Sequence, residues 1–117
     1  MTDFSIQPRE VEGAVVCEIR GYWDEMANEP FDQAIADLLQ AGKTRIILDL
    51  TNCTDFNSQG ASGLIDLAVR VREVYSGRLI LFGMSITLDK VFEMLGVYSL
   101  AEREETLEKA LELLRTS

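Results

Sequence analysis

The sequence contains no histidine, and this absence excludes several kinds of active site. None of its 117 residues offers an imidazole as a general base, as part of a Ser-His-Asp triad or as a zinc ligand. There are only two cysteines, Cys17 and Cys53, so a four-cysteine zinc site is impossible and we expect both thiols to be reduced. No Walker-type phosphate loop and no Gly-x-Gly-x-x-Gly turn is present. We therefore predict no catalytic residues, no metal site and no cofactor.

Basic residues are scarce, which limits the kinds of partner. The 11 Lys and Arg residues face 20 Asp and Glu residues, giving a net charge of −9 and a pI of about 4.4. Phosphate backbones are bound by Lys and Arg, so we expect no nucleic acid partner. Apolar runs are far shorter than the ~20 residues that cross a bilayer, and no signal-peptide pattern is visible. We expect a cytoplasmic protein without direct membrane insertion.

Hydrophobic residues make up 47% of the sequence, and the length and composition predict one folded domain over residues 1–117. Short apolar or alternating runs predict strands at 4–7, 14–20, 46–50, 79–82 and 97–100. Apolar residues at spacings of three and four predict four helices. The first is capped by Asn28 or Glu29 with Pro30 in its first turn, the second spans about 58–75, and the others are capped by Ser85 and Thr106. This alternation predicts an α/β fold, a mixed sheet of four to five strands with about four helices packed against it.

The most informative stretch is Asn57-Ser58-Gln59-Gly60, which we call the motif segment, at the start of the second predicted helix. Asn57 or Ser58 can cap this helix, and a helix N-terminus also favours an anion or an acidic partner group. Opposite the apolar side of the helix, polar residues recur every three or four positions. They form a polar ridge of Gln59, Ser62, Asp66, Arg70 and Glu73. The motif segment and the polar ridge together predict a binding surface.

Three aspartates, Asp24, Asp49 and Asp55, are the remaining candidates for chemistry. The predicted topology brings them toward one end of the sheet, where paired carboxylates can bind Mg²⁺ or transfer protons. The alternative, which we favour, makes Asp49 a satisfied strand residue and Asp55 a solvated loop residue. No nucleophile or base accompanies these carboxylates in a recognisable pattern, so we expect a protein that is not an enzyme.

Several short motifs, taken in order, resemble those of the STAS domain family, the sulfate-transporter and anti-sigma-factor-antagonist domains. Gly21-Tyr22-Trp23-Asp24 is similar to the family's Gly-x-x-Asp after the second strand, and residues 47–51 are similar to its strand ending in Leu-Asp-Leu-Ser. The motif segment falls where the family has Asp-Ser-Ser/Thr-Gly. Residues 78–81 and 92–97 match a later strand and a helix that ends in a Gly-hydrophobic pair. The resemblance covers nearly the whole chain and implies the STAS fold.

The resemblance implies a partner-switching protein that binds an anti-sigma factor, itself a serine kinase, and so releases a sigma factor. In the family the kinase phosphorylates the hydroxyl just before the motif glycine, which ends the binding. Here that position is Gln59, which cannot be phosphorylated, and the family's preceding aspartate is Asn57. The partner-binding or switch residues that the resemblance and the ridge suggest are Asp24, Asn57, Ser58, Gln59, Gly60, Ser62 and Asp66.

Gln59 leaves two interpretations of the switch. In the first, binding is constitutive and Gln59 is a neutral, hydrogen-bonding contact; in the second, Ser58 or Ser62 accepts the phosphoryl group. We favour the first, because Ser58 has a competing role as a helix cap. Small STAS proteins are also similar to subunits of lipid-transport ATPase complexes and to signalling scaffolds, and these alternatives stay open, as do a nucleotide-binding module and a weak homodimer.

The negative charge is unevenly distributed along the chain. Residues 1–58 hold 11 acids and 4 bases, a net charge of −7, whereas residues 59–117 hold 9 acids and 7 bases, a net charge of −2. The more acidic half contributes the strand ends and most of the motif segment. We therefore expect a regulatory partner with a basic contact patch and an association that salt weakens.

Overall fold

The fold is given by a computed structural model, which describes residues 4–116. The strands are β1 (Ser5–Val11), β2 (Ala14–Trp23), β3 (Arg45–Phe56), β4 (Arg78–Phe82) and β5 (Glu102–Arg103). The helices are α1 (Glu25–Gln40), α2 (Ser58–Glu73), α3 (Ile86–Met94) and α4 (Leu107–Arg115), and a 3₁₀ turn covers Val97–Ser99. None of the helices within residues 4–116 contains an apolar stretch of membrane-spanning length.

The strands form one mixed sheet in the order β1-β2-β3-β4-β5. β1 runs antiparallel to β2, and the other neighbours are parallel. The predicted α/β fold, a mixed sheet with four helices, is confirmed. Because β2, β3 and β4 run in the same direction, the loops that follow them lie at the same edge of the sheet, which we call the C-terminal edge.

Alternate residues of the strands supply two cores, one on each face of the sheet. Val15, Cys17 and Ile19 of β2 belong to the larger core, which also contains buried residues of α1, α2 and α3. The smaller core includes Val16 of β2 and packs against Ala110, Leu111 and Leu114 of α4. Three helices therefore cover one face of the sheet and α4 covers part of the other.

The first helix begins about one turn earlier than its sequence pattern predicts. Asp24, directly after β2, is the N-cap, and its Oδ1 accepts a hydrogen bond of 3.1 Å from the backbone N–H of Ala27. Pro30 lies inside the helix rather than in its first turn. The predicted cap at Asn28 or Glu29 is wrong because both residues lie within the helix, and Asn28 has a different role described below.

Two other boundaries differ from the prediction. β3 continues to Phe56 through residues predicted as loop, because they pair with Arg20, Gly21, Tyr22 and Trp23 at the end of β2. The predicted strand at 97–100 is a 3₁₀ turn, which Gly96 introduces with a φ of +80°, and the fifth strand is β5 instead. The caps predicted at Ser85 and Thr106 are confirmed, each accepting from a backbone N–H at 3.1 Å.

Replacing Asp24 with alanine is expected to lower the free energy of unfolding by about 1 kcal/mol, because the first turn of α1 loses its side-chain acceptor. Asp24→Asn keeps an acceptor oxygen and is the matched control, with stability close to that of the wild type. Urea denaturation of the three proteins measures the difference. Equal stability of wild type and Asp24→Ala would contradict the assigned cap.

Candidate functional site

The motif segment connects β3 to α2 at the C-terminal edge of the sheet. Asn57 is the N-cap, and its Oδ1 accepts from the backbone N–H of Gly60 at 3.0 Å. The backbone N–H of Asn57 donates to the carbonyl of Trp23 at 3.1 Å, so the segment is held against the end of β2. Ser58 is the first helical residue rather than the cap. The competing capping role predicted for Ser58 is therefore wrong.

Two glycines allow α2 to lie very close to the end of β2 and the start of α1. A Cβ atom added at Gly60 would lie 2.3 Å from the carbonyl oxygen of Trp23, and one added at Gly63 would lie 2.2 Å from Oδ1 of Asn28. Real Cβ atoms do not approach oxygen so closely. Gly60 is thus fixed by packing as well as by its place in the motif, and Gly63 is a site residue that the sequence analysis missed.

Asn28 connects the two helices through a hydrogen-bonded network. Its Oδ1 accepts from Nε1 of the buried Trp23 at 3.0 Å, and its Nδ2 donates to the backbone carbonyl of Gln59 at 2.8 Å. The network fixes the backbone of Gln59 while the Gln59 side chain stays exposed. Sequence analysis missed this role of Asn28, since Gln59 lies 31 positions away and no local pattern joins the two residues.

The polar ridge is exposed as its spacing predicted. Gln59, Ser62, Asp66 and Glu73 are exposed, and Arg70 is half-buried. The hydroxyl of Ser62 donates to the backbone carbonyl of Ser58 at 3.1 Å, a bond within the first turn of α2. The Ser58 hydroxyl is exposed and has no hydrogen bond to any residue between 4 and 116. Of the two serines, Ser58 has the freer hydroxyl.

Asp32 of α1 adds a buried carboxylate oxygen beside the polar ridge. Its Oδ1 is buried and has no hydrogen-bond partner among the described residues. Burial raises the pKa of the Asp32 carboxyl, the positive charge of Arg70 opposes that rise, and the negative charge of Asp66 adds to it. Ridge residues of α2 therefore interact electrostatically with α1, and the sequence pattern did not distinguish Asp32 from an ordinary solvated acid.

Two of the three aspartates considered for chemistry lie at the C-terminal edge, because Asp55 pairs with Tyr22 and Asp24 directly follows β2, whereas Asp49 lies earlier in β3. Asp24 caps α1, Asp49 Oδ1 accepts from the backbone N–H of Thr51 at 3.0 Å, and Asp55 Oδ1 accepts from the backbone N–H of Phe56 at 2.8 Å. Asp49 and Asp55 both belong to β3 and lie six positions apart, which corresponds to about 20 Å of extended strand. No group of three or more Cys, Asp or Glu residues that could hold a metal ion occurs within residues 4–116.

The two thiols lie in apolar surroundings. Cys17 is buried, and burial raises its pKa to about 12; Cys53 is half-buried, and its pKa is raised to about 11, mainly by burial. Both cysteines are free. A thiol is nucleophilic only as the thiolate, so neither is activated at neutral pH.

Comparison with known proteins gives the family. Residues 5–110 match the model of the STAS domain. The chain belongs to the STAS domain family. The resemblance found in the sequence motifs is thereby confirmed, although no curated protein sequence matches the chain significantly.

Solved structures of other STAS-like proteins share this fold. The anti-sigma factor antagonist SpoIIAA of Bacillus, in its unphosphorylated form, is 25% identical with a TM-score of 0.73, over 98% of this chain and 100% of SpoIIAA. A putative anti-sigma factor antagonist of Thermotoga maritima is 15% identical with a TM-score of 0.85, over 94% of both chains. An anti-sigma factor antagonist of Mycobacterium paratuberculosis is 17% identical with a TM-score of 0.84, over 97% of this chain and 95% of its own. At these identities the latter two establish the fold alone.

Gly60→Ala is expected to lower the free energy of unfolding by about 1–3 kcal/mol, because the new methyl group meets the Trp23 carbonyl and α2 must shift. Ser62→Ala is the matched control, since it changes an exposed residue of the same helix and should stay within about 0.5 kcal/mol of the wild type. Chemical denaturation measures both values. If Gly60→Ala is as stable as Ser62→Ala, α2 does not lie against Trp23 as described.

Asp32→Asn is expected to stabilise the protein at pH 7 but not at pH 3. A raised folded-state pKa means that the carboxylate is disfavoured in the native state, so stability falls as pH rises from the unfolded pKa through the folded pKa. Asparagine has no charge to bury, and near pH 3 the aspartate is mostly protonated in both states. Thermal denaturation at the two pH values tests this, with the exposed Glu29→Gln on the same helix as control. If Asp32→Asn raised the stability as much at pH 3 as at pH 7, ionisation of Asp32 would be ruled out as the cause.

Proposed function

We propose that this chain is a non-enzymatic binding protein of the anti-sigma-factor-antagonist kind, acting in the cytoplasm on an anti-sigma factor or a related regulator. The observation that carries the proposal is Gln59: its backbone is fixed by Asn28 and Trp23, and its side chain is exposed at the start of α2. The proposed contact surface consists of Asp24, Asn57, Ser58, Gln59, Ser62 and Asp66, and the buried Gly60 positions α2 beneath it.

Gln59 supports constitutive binding. Its position is the one where the family resemblance implies a phosphorylated hydroxyl, and a glutamine amide cannot accept a phosphoryl group. The amide does offer a donor and an acceptor to a partner, as a hydroxyl does. A fixed backbone also reduces the ordering cost of binding. We infer that the unmodified chain is permanently in its binding-competent form.

Of the two alternative phosphorylation sites, Ser58 is the one we favour. Asn57 provides the cap, so the Ser58 hydroxyl has no structural role that phosphorylation would disturb. A phosphoryl group there would lie at the N-terminus of α2, where the helix dipole favours negative charge. The Ser62 hydroxyl, by contrast, is engaged with the carbonyl of Ser58. An experiment on the switch must therefore measure phosphorylation of Ser58 directly.

Acidic side chains around the motif segment support a partner with a basic patch. Glu25, Glu29, Asp55 and Asp66 are exposed on α1, β3 and α2. Exposed charges of one sign speed the encounter with an oppositely charged surface and are screened by salt. The association rate with the regulator should therefore fall as the salt concentration rises.

The test uses purified anti-sigma factors with kinase activity from the same genome, with ATP, isothermal titration calorimetry and mass spectrometry. Wild type is expected to bind in the presence of ATP and to stay unmodified. Gln59→Ser should become phosphorylated at residue 59 and then lose at least about tenfold in affinity, because the added charge and bulk disrupt a packed contact. Glu73→Gln, at the far end of the polar ridge, is the control and should bind like the wild type.

Two results would contradict the proposal. Stoichiometric phosphate on Ser58 or Ser62 of the wild type would replace constitutive binding with a relocated switch. Absence of binding to every anti-sigma factor tested, together with a stable complex with a transporter ATPase or a signalling scaffold, would assign the chain to a different STAS-containing assembly.

A further inference from the structure

The start of α3 carries an exposed apolar side chain. Ile86 is the first residue of the helix and is 78% exposed, whereas Leu88 and Phe92 on the opposite side of the helix are buried in the larger core. Covering such a side chain in a complex is favourable, because it removes apolar surface from water. Ile86 lies at the C-terminal edge of the sheet, the edge that also carries the motif segment.

Ile86 lines one of two hollows beside the first turn of α3, and its neighbours Ser85 and Thr87 line the other. The first, of about 300 Å³, lies between the end of β3 and the first turn of α3, with Asp55, Phe56 and Leu88 among its lining residues. The second, of about 620 Å³, is lined by Ile86 itself and by residues of α3, β5 and the β5–α4 connection, including Asp89, Glu93, Arg103, Glu104 and Glu105. Since Asp55 and Phe56 directly precede Asn57, the first hollow adjoins the motif segment.

The charge of the two hollows is negative. Arg103 is the one base among their lining residues, and its Nη1 lies 3.0 Å from Asp89 Oδ1 and 3.6 Å from Glu93 Oε2. Glu105 is paired with Lys109 at 3.2 Å. Glu104 beside one hollow and Asp55 beside the other have no ion pair within residues 4–116. Each hollow therefore presents a carboxylate that no described cation neutralises.

The walls of this surface are held in place by the fold. The Tyr98 hydroxyl donates to Asp89 Oδ1 at 2.6 Å, and the Arg103 guanidinium lies 4.5 Å from the centre of the Tyr98 ring. The ring of Phe56, which lines the first hollow, lies 5.3 Å from the ring of the buried Phe92. The hydrogen bond from Tyr98 and, to a smaller extent, the interaction with Arg103 lower the pKa of the Asp89 carboxyl. This carboxylate therefore stays charged near neutral pH. A partner meets a preformed surface.

We infer that Ile86, Asp55 and Glu104, which we call the α3 patch, dock a partner segment in which an apolar side chain is flanked by lysine or arginine. The apolar side chain covers Ile86, and the two cations approach Asp55 and Glu104. The inference rests on the proposed function, because it extends the same contact surface from the motif segment across the C-terminal edge. A second copy of this chain is a poor occupant, since its net charge of −9 repels an acidic patch.

The test is an NMR titration of the full-length, ¹⁵N-labelled chain with three short capped peptides. Their central residues are Arg-Leu-Arg, Arg-Ser-Arg and Glu-Leu-Glu. The Arg-Leu-Arg peptide is expected to shift the amide signals of Asp55, Ile86 and Glu104 and to bind at least about fivefold more tightly than the other two, because only it offers both apolar cover and opposite charge. Its binding should weaken as salt is added.

Ile86→Ser is expected to weaken Arg-Leu-Arg binding at least about fivefold. Met94→Ser is the matched control: Met94 lies at the other end of the same helix and is 84% exposed, so its replacement should leave binding within twofold of the wild type. The double variant Asp55→Asn with Glu104→Gln should lose most of the salt dependence. The dispersion of the amide spectrum confirms that each variant is folded.

The outcomes separate this inference from the proposed function. Equal binding by Arg-Ser-Arg, shifts centred on Met94, or wild-type affinity in Ile86→Ser would overturn the α3 patch, whatever the regulator proves to be. If an anti-sigma factor binds the wild type and Ile86→Ser equally well, the patch is likewise excluded while the proposed function stands. If no anti-sigma factor binds but the peptide titration behaves as expected, the patch stands and the proposed function fails.

Discussion

The hydrogen bonds of Asn28 are the constraint on which the rest of the site depends. One side-chain amide accepts from the Trp23 indole and donates to the Gln59 carbonyl, so it joins the end of β2 to the first turn of α2. Few side chains offer a donor and an acceptor in one plane, which is why asparagine suits this place. The approach is possible only because Gly60 and Gly63 carry no side chain. A larger residue at either position would push α2 outward and leave buried polar groups unpaired.

In this arrangement the backbone and the side chain of Gln59 have different roles. Its backbone carbonyl belongs to the internal network, while its side chain belongs to the surface. A partner of the proposed kind would therefore meet a helix start whose position is already fixed, and its binding would not need to order the backbone. The Asn57 cap also fixes the first turn of α2, because its side chain accepts a hydrogen bond from a backbone N–H of that turn. A partner would then not need to supply this acceptor. Rigidity of the backbone and exposure of the side chain are thus produced by the same few contacts.

Much of the fold follows from local sequence patterns. The remaining parts are determined by contacts between residues that are distant in the sequence. The caps at Ser85 and Thr106 and the exposure of the polar ridge follow from spacing alone. The start of α1 does not follow from spacing, because Asp24 and Asn28 are both good cap residues. The choice between them depends on where β2 ends. Residues 51–56 of β3 show no alternation because neither of their faces is fully buried. Within the site, adjacent Asn57 and Ser58 are equally plausible caps by sequence, and the network of Asn28 has no local signal.

The acidity of the chain bears on how such a surface is regulated. A phosphoryl group adds about −1.5 to −2 charge, and at long range an added negative charge attracts a basic partner more strongly. Phosphorylation can then end binding only through short-range effects, by spoiling a packed contact or burying an unpaired charge. Position 59 is suited to that effect, because its backbone cannot move away while Asn28 holds it. Under the proposed function, a neutral glutamine there keeps the short-range contact intact and leaves the surrounding carboxylates to steer the encounter. In this chain, long-range charge and short-range packing therefore act in the same direction.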